Sequence, residues 1–325
     1  MIGIIPGGAN IYLYQPGDGK SRWCGFVSNF DTANAVIVQQ LQQMYANGMR
    51  YLRLPLEHCH DAFDDGFNLQ SNGGTLSGQQ LNNFINLLAT IKEIGFWGLE
   101  VTFLASWWNS PMAWVNPGAW NDPNFGQCTS QPDPVNNPSA LLTMNFYQEN
   151  WNFIVNIKRL LAASGLFYRL DLSNEANNGD VAYAKRLWVD YMCAFNDLDH
   201  TVGFSIAPSH AGIAALVDIY SGTYPKVFDI HVYNAVNNDY PPASGEGHAG
   251  ATLRGALTDA AKNGIPVKQY IVGECSANDA PSAADFENYN PVFLMQWPLT
   301  AAGQASGNMW ADTTAVDWTN YFKAA

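Results

Sequence analysis

The chain has 325 residues, 47% of them hydrophobic and 13% charged, with 28 Asp and Glu against 15 Lys and Arg for a net charge of −13. A disordered chain carries more charge and fewer aromatics, so disorder is excluded. An acidic surface repels phosphate instead of neutralising it, which argues against nucleic acid and anionic membranes as partners. There is no apolar run of about 18 residues to span a bilayer, and residues 1–14 lack the basic start and long apolar stretch of a signal peptide. Any export signal is therefore expected to have been removed or never to have existed. The five cysteines, Cys24, Cys59, Cys128, Cys193 and Cys275, form no CxxC pair; this supports neither a zinc ribbon nor a disulfide scaffold and leaves one or two bridges open.

Along the chain, short apolar runs alternate with amphipathic stretches. A predicted strand over 3–12 precedes a helix over 31–47, and a strand over 51–56 precedes a helix over 77–94. In that second helix Leu81, Phe84, Ile85, Leu88, Ile91 and Ile94 recur at helical spacing after Ser77, a residue suited to the N-cap. Strand 98–104 is followed by a segment rich in Trp, Pro and Asn over 106–140 and by a helix over 141–163. Then come strand 168–172, helix 180–196, strand 203–206, helix 211–220, strand 227–232, helix 251–263, strand 270–272, a weakly periodic helix over 282–289 and strand 293–296. A last helix is expected over 316–323. Gly48, Gly95, Gly165 and Gly264 sit where four of these helices should close.

Eight strand and helix alternations without a break in composition predict a single domain over 1–325, a (β/α)₈ TIM barrel with long loops at its C-terminal face. An open doubly wound sheet is the other arrangement of such units, but no GxGxxG follows any predicted strand. In a barrel the 106–140 segment emerges at the face where active sites are built, and structureless loops of that length are usually functional.

Two strands end in a carboxylate. Leu170-Asp171-Leu172-Ser173-Asn174-Glu175 and Tyr270-Ile271-Val272-Gly273-Glu274 each carry a glutamate onto the predicted catalytic rim. They lie 274 − 175 = 99 residues apart, three βα units of about 33 residues each, after the fourth and seventh strands. These strands face each other across an eight-stranded barrel. Two carboxyl groups so placed can sit roughly 5–5.5 Å apart, the spacing at which one attacks an anomeric carbon while the other protonates the leaving oxygen.

With these residues the chain resembles glycoside hydrolase clan A, and within it the cellulase-like family 5. Asn174-Glu175 matches the Asn-Glu pair ending strand four, Glu274 the nucleophile ending strand seven and Arg53 the arginine near the end of strand two. His231-Val232-Tyr233 matches the His-x-Tyr after strand six, and Trp297 the tryptophan after strand eight. The resemblance implies a secreted or extracytoplasmic retaining glycosidase without metal or cofactor, acting as a monomer on a polysaccharide or oligosaccharide. Glu274 would be the nucleophile, held ionised by Arg53 and Tyr233, and Glu175 the acid/base, starting protonated beside the charge of Glu274. Asn174 would donate to the sugar 2-hydroxyl, His231 would position substrate or Glu175, and Trp297 would floor the cleaving subsite. Trp107 and Trp108, with Trp114 and Trp120, offer flat faces for sugar rings, and His58 is a further substrate-contact candidate. Cys275 directly after the nucleophile and the His58-Cys59-His60-Asp61 loop depart from the family pattern.

Two other readings compete. His58 and His60, joined by His210, His231 and aspartates, would suit a metal-dependent TIM-barrel hydrolase, although such barrels place their H-x-H after the first strand. A non-catalytic sugar-binding barrel would keep the aromatics but has no need of two rim glutamates.

Overall fold

The computed structural model describes residues 7–11, 13–14, 25–59, 69–70, 73–104, 146–176, 181–233, 235–276, 286, 289, 291–297 and 310–311. Within them the barrel strands are β1 (Gly7–Asn10), β2 (Tyr51–Cys59), β3 (Gly98–Leu104), β4 (Tyr168–Asp171), β5 (Thr201–Gly203 and Ser205–Ile206), β6 (Val227–His231), β7 (Gln269–Ser276) and β8 (Leu294–Trp297). Every pairing is parallel, and β1 pairs with both β2 and β8, so the sheet curls into a nearly closed barrel. The predicted fold class is the observed one. Short segments decorate it: Leu69–Gln70 pairs with β2, and Leu13–Tyr14 pairs with Trp310–Ala311.

The path around the barrel counts nine strand segments instead of eight because β5 is divided at Phe204. Its first piece pairs with β4 and its second with β6. Gly203 lies at φ 73°, a left-handed conformation that no regular strand continues through. The Phe204 N–H released at the break donates to the Tyr220 hydroxyl at 3.1 Å, which replaces the lost ladder bond.

Six helices are described: α1 (Asn34–Ala46), α2 (Gly78–Ile94), α3 (Phe146–Ser164), α4 (Val181–Phe195), α5 (His210–Tyr220) and α6 (His248–Lys262). In α2 the inner face is Phe84, Leu87, Leu88 and Ile91, each contributing about 1.5–3 kcal/mol by burial. Ile85, placed on the apolar stripe from its spacing, is instead 45% exposed; Leu87 completes the stripe in its place. Gly95, at φ 101°, closes α2 by donating to the carbonyls of Ile91 and Lys92. The helices expected over 282–289 and 316–323 fall outside the described residues, apart from Phe286 and Tyr289. So does the 106–140 loop with Trp107, Trp108, Trp114 and Trp120, as does His60.

Strand alternation sorts the barrel interior into levels. In β2 Leu52, Leu54 and Leu56 join the core shared with the helices, whereas Arg53 between them points inward. At the N-terminal end, Val202, Val227, Ile271, Phe293 and Met295 form a separate apolar cluster, against which Tyr51 packs. Tyr51 stacks on Phe293 with ring centroids 4.0 Å apart. Two residues further along the strands the interior turns polar, with Arg53, Glu100, Asp171 and Asp229 all at 0–2% exposure.

Gly203→Ala tests the split strand. Its Cβ would fall 2.5 Å from the Tyr220 hydroxyl oxygen at φ 73°, so urea unfolding should show a loss of about 1–3 kcal/mol. An unchanged midpoint would mean that the β5 break relaxes freely.

Candidate active site

Arg53 is the hub. It stands in register between Asn10 of β1 and Glu100 of β3, and its guanidinium has no exposed surface. Nε donates to Glu100 Oε1 at 2.9 Å. Nη1 donates to Glu274 Oε1 at 2.6 Å and to Asn10 Oδ1 at 3.3 Å. Nη2 donates to Asn174 Oδ1 at 2.7 Å and to Asp171 Oδ2 at 3.2 Å. Asp229 Oδ2 completes the shell at 3.8 Å from Nε. Burial opposes the charge of Arg53, but Glu274, Glu100, Asp229 and Asp171 outweigh it and raise the guanidinium further above its ordinary value.

Glu274 ends this network at the rim. Besides Arg53 it receives the Tyr233 hydroxyl at 2.5 Å and the Trp297 indole N–H at 3.2 Å, both on Oε2. Trp297 also donates to the Tyr233 oxygen at 2.8 Å, so the two donors brace each other. Burial alone would raise the Glu274 carboxyl; His231, Arg53 and the bonds from Tyr233 and Trp297 prevail and hold it below its ordinary value. Burial beside that carboxylate drives the Tyr233 hydroxyl well up, so it remains a donor.

Glu175 has a different setting. Its side chain is 35% exposed against 10% for Glu274. Its backbone sits at φ 51°, one of the few described non-glycine residues with positive φ. The Ser205 hydroxyl accepts the Glu175 N–H at 2.9 Å, and Phe103 O accepts that of Asn174 at 3.0 Å. Such a conformation costs energy and persists only where surroundings impose it. Its carboxylate meets His231 Nδ1 at 2.9 Å. One oxygen of Glu175, one of Glu274 and a ring nitrogen of His231 all lie within 4.8 Å of one another. A cavity of about 410 Å³ opens beside Glu175, walled by His231, Tyr233, Ala207, Pro208 and the 235–239 loop.

The structure thus brings together Arg53, Asn174, Glu175, His231, Tyr233, Glu274 and Trp297. It does not bring His58 to them. Its ring has 0% exposure, stacks on Phe153 at 4.1 Å and meets Asn150 Oδ1 at 3.1 Å. The substrate-contact and metal-ligand roles foreseen for it are corrected accordingly: it belongs to the packing between β2 and α3. Cys275 is also turned away from the site, its thiol meeting Met295 O at 3.5 Å in the core.

Sequence reasoning missed Glu100, Asp171, Asp229 and Ser205. The signal was there: Glu100, Asp171 and Asp229 are single carboxylates inside apolar strand runs, each in register with the polar interior of its neighbour. Asp171 accepts from Thr102 at 2.6 Å and from Ser205 N at 2.9 Å, yet burial keeps its carboxyl above the ordinary value. Burial, then Asp229, pushes Glu100 well up, whereas Asp229 is held low against burial chiefly by His231. The two shifts run in opposite directions, Glu100 toward its neutral form and Asp229 toward its charged one. The donor set suits a carboxylate held by N–H and O–H groups more than a metal ion, because Arg53, Tyr233 and Trp297 already occupy both oxygens of Glu274.

Solved structures similar to this one include GH5_18 from Bifidobacterium longum subsp. longum, at 14% identity over 96% of this chain and 77% of that one, with TM-score 0.56. Its barrel is theirs. The β-mannanase of Thermomonospora fusca matches at 13% identity over 97% of this chain and 86% of its own, with TM-score 0.52. N2152 from Neocallimastix frontalis matches at 14% identity and TM-score 0.50 over 90% of this chain, which spans 60% of N2152. No protein-family model and no curated protein sequence matches the chain. The likeness to these structures establishes the fold.

Arg53→Met should be strongly destabilising, by about 3–5 kcal/mol at neutral pH, since it strands buried carboxylates. Glu274 and Asp229 have depressed folded-state values. The stability they contribute is present above their unfolded values and lost as pH falls through the folded ones. The gap between wild type and variant should therefore narrow as pH falls. A gap constant with pH in urea titrations would overturn this account.

Proposed function

We propose that the chain is a retaining O-glycoside hydrolase that cleaves within neutral β-linked polysaccharides. The observation that carries this reading is the pair Glu175 and Glu274, with oxygens within 4.8 Å across the barrel mouth and in opposed settings. Retaining enzymes hold their two carboxyl groups about 5–5.5 Å apart, and inverting ones leave roughly 6.5–9.5 Å for a water.

In the first step a Glu274 oxygen attacks the anomeric carbon, the glycosidic C–O bond breaks, and the Glu175 proton goes to the leaving oxygen. In the second, Glu175 takes a proton from water, whose oxygen displaces Glu274. Two inversions give net retention. Donors from Arg53, Tyr233 and Trp297 keep the nucleophile ionised and aimed, and they stabilise it again as it leaves. Asn174 gives its Oδ1 to Arg53, which orients its Nδ2 donor for a sugar hydroxyl. Trp297 would floor the subsite, and Trp107 and Trp108 would wall the groove.

The substrate is held by amides, hydroxyls and aromatic faces, because the buried arginine of the site, Arg53, is taken up by carboxylates. The Thermomonospora fusca structure is a mannohexaose complex, and a related Bifidobacterium longum structure holds Manβ1-4GlcNAc. A soluble β-mannan is therefore the first substrate to offer. No helix among the described residues is long and apolar enough to cross a membrane. Since polymers of this kind are too large to enter cells, the proposal takes the enzyme to act outside them, as a monomer.

On β-mannan, mid-sized oligosaccharides and a rapid viscosity drop should precede monosaccharide, and NMR should show retained configuration in the first products. Glu274→Ala should lose about 10⁴-fold or more and form an inverted glycosyl azide when azide fills the space left. Glu175→Ala should keep activity on activated aryl glycosides, whose leaving groups need no acid. Equal losses of the two variants on all substrates would sink the role assignment.

A further inference from the structure

His231 lies between two carboxylates, one of which the hydrolase reading leaves without a task. Nδ1 meets Glu175 Oε1 at 2.9 Å, and Nε2 meets Asp229 Oδ2 at 3.3 Å. A neutral imidazole has one N–H. An ionised Asp229 only accepts, so it takes the Nε2–H and leaves Nδ1 facing Glu175. The bond on that side needs one further proton, lying either on Glu175 Oε1 or on Nδ1. Both placements keep the proton on the Glu175–His231 pair.

Asp229 is built into the barrel for this contact. Its Oδ1 accepts the Gly273 N–H at 2.7 Å, and the Gly273 carbonyl accepts from Asn10 Nδ2 at 3.1 Å. A Cβ on Gly273 would overlap the Asp229 carboxylate, so the residue before Glu274 has no side chain where Asp229 needs the space. The register of β7 shifts at this point against both neighbours. Asp229 therefore touches the strand that carries the nucleophile and the histidine that touches the acid.

We propose that Asp229 is a positioning residue for the acid/base step: through His231 it fixes the ring tautomer and holds on the Glu175–His231 pair the proton that departs with the leaving group. This rests on the hydrolase reading and assigns it a residue outside the rim set. The charged and titratable groups around the pair are Arg53 from β2, Glu100 from β3, Asp171 from β4, Tyr233 after β6 and Glu274 from β7. Arg53 and the carboxylates oppose one another there, while burial and the negative charges of Glu274 and Asp229 act on His231 in opposite senses. The negative charges win, raising the imidazole well above its ordinary value.

Asp229→Asn in the full chain tests the inference. The amide Oδ1 still accepts from Gly273, but its N–H₂ group now faces Nε2 and forces the proton to Nδ1, the wrong tautomer. The alkaline limb of kcat/KM on polysaccharide should move to lower pH, with about a tenfold or greater loss at neutral pH. The acidic limb should stay in place, and the loss should largely vanish in the glycosylation step with an activated aryl glycoside. A purely structural role would lower activity at every pH and with every leaving group, and that outcome overturns the proposal.

¹⁵N NMR of labelled histidine supplies a second reading that needs neither the variant nor turnover. In the wild type the His231 Nε2 should remain protonated across the pH range in which the chain is folded, and finding the Nδ1–H tautomer there overturns the proposal. If the wild type hydrolyses no glycan, the hydrolase reading fails, while the NMR result still decides whether Asp229 fixes the ring.

Discussion

A guanidinium buried in the middle of a barrel is tolerable only if the charges around it are arranged to match. Arg53 has no exposed surface and faces Glu274, Glu100, Asp171 and Asp229. Four buried carboxylates around one arginine would be badly unbalanced if all were ionised. Protons resolve the imbalance. Glu100 is driven to hold one, Asp171 is pushed the same way by burial, and His231 is drawn to its charged form. Asp229 and Glu274 remain negative against Arg53 and His231. Burial thus pushes Glu100 and Asp171 toward their neutral forms, although Asp171 accepts from Thr102 and Ser205, whereas Arg53 and His231 hold Asp229 and Glu274 toward their charged forms.

The difference between the two glutamates follows from where this network stops. Glu274 is its last member, braced on one oxygen by Arg53 and on the other by Tyr233 and Trp297. Glu175 lies one layer above, at a strained backbone position, its carboxylate meeting the network at His231 and its backbone N–H at Ser205. A carboxylate with three hydrogen-bond donors is held toward its charged form and in its place. The Glu175 carboxylate instead meets the His231 imidazole and has an open cavity beside it. The same functional group thus acquires two settings from position alone, as acid/base chemistry on a common scaffold requires.

The barrel's two interior levels serve the same end. The apolar cluster of Val202, Val227, Ile271, Phe293 and Met295 closes the N-terminal end, leaving water only one side from which to reach the charges. The polar level above it is buried, with Arg53, Glu100, Asp171 and Asp229 at 0–2% exposure, and its contacts act at a lower effective dielectric than on a surface. The price is rigidity of design. Gly273 has to stay bare beside Asp229, and β5 breaks at Gly203 so that Ser205 can turn both its N–H to Asp171 and its hydroxyl to Glu175 N.

The sequence by itself determined the barrel and the rim. Strand and helix alternation is written in local periodicity, and a carboxylate that ends an apolar run has to emerge at the strand's end, whichever chain surrounds it. Asn174, Glu175, His231, Tyr233, Glu274 and Trp297 stand at such an end or in a short motif beside it, whereas Arg53, the third residue of the nine in β2, was named from the family resemblance instead. The tertiary structure alone decided what lies beneath them. Glu100, Asp171 and Asp229 look in the sequence like isolated charges within strands, and their meaning depends on register: parallel pairing brings Glu100 beside Arg53 and Asp171 beside Thr102. His58 shows the reverse. Its H-x-H spacing resembles a site, but β2 carries it past the interior to stack on Phe153 of α3. Spacing along a chain sets which face a side chain takes, whereas its neighbours come from strands and helices far away in sequence, and burial and protonation are properties of those neighbours.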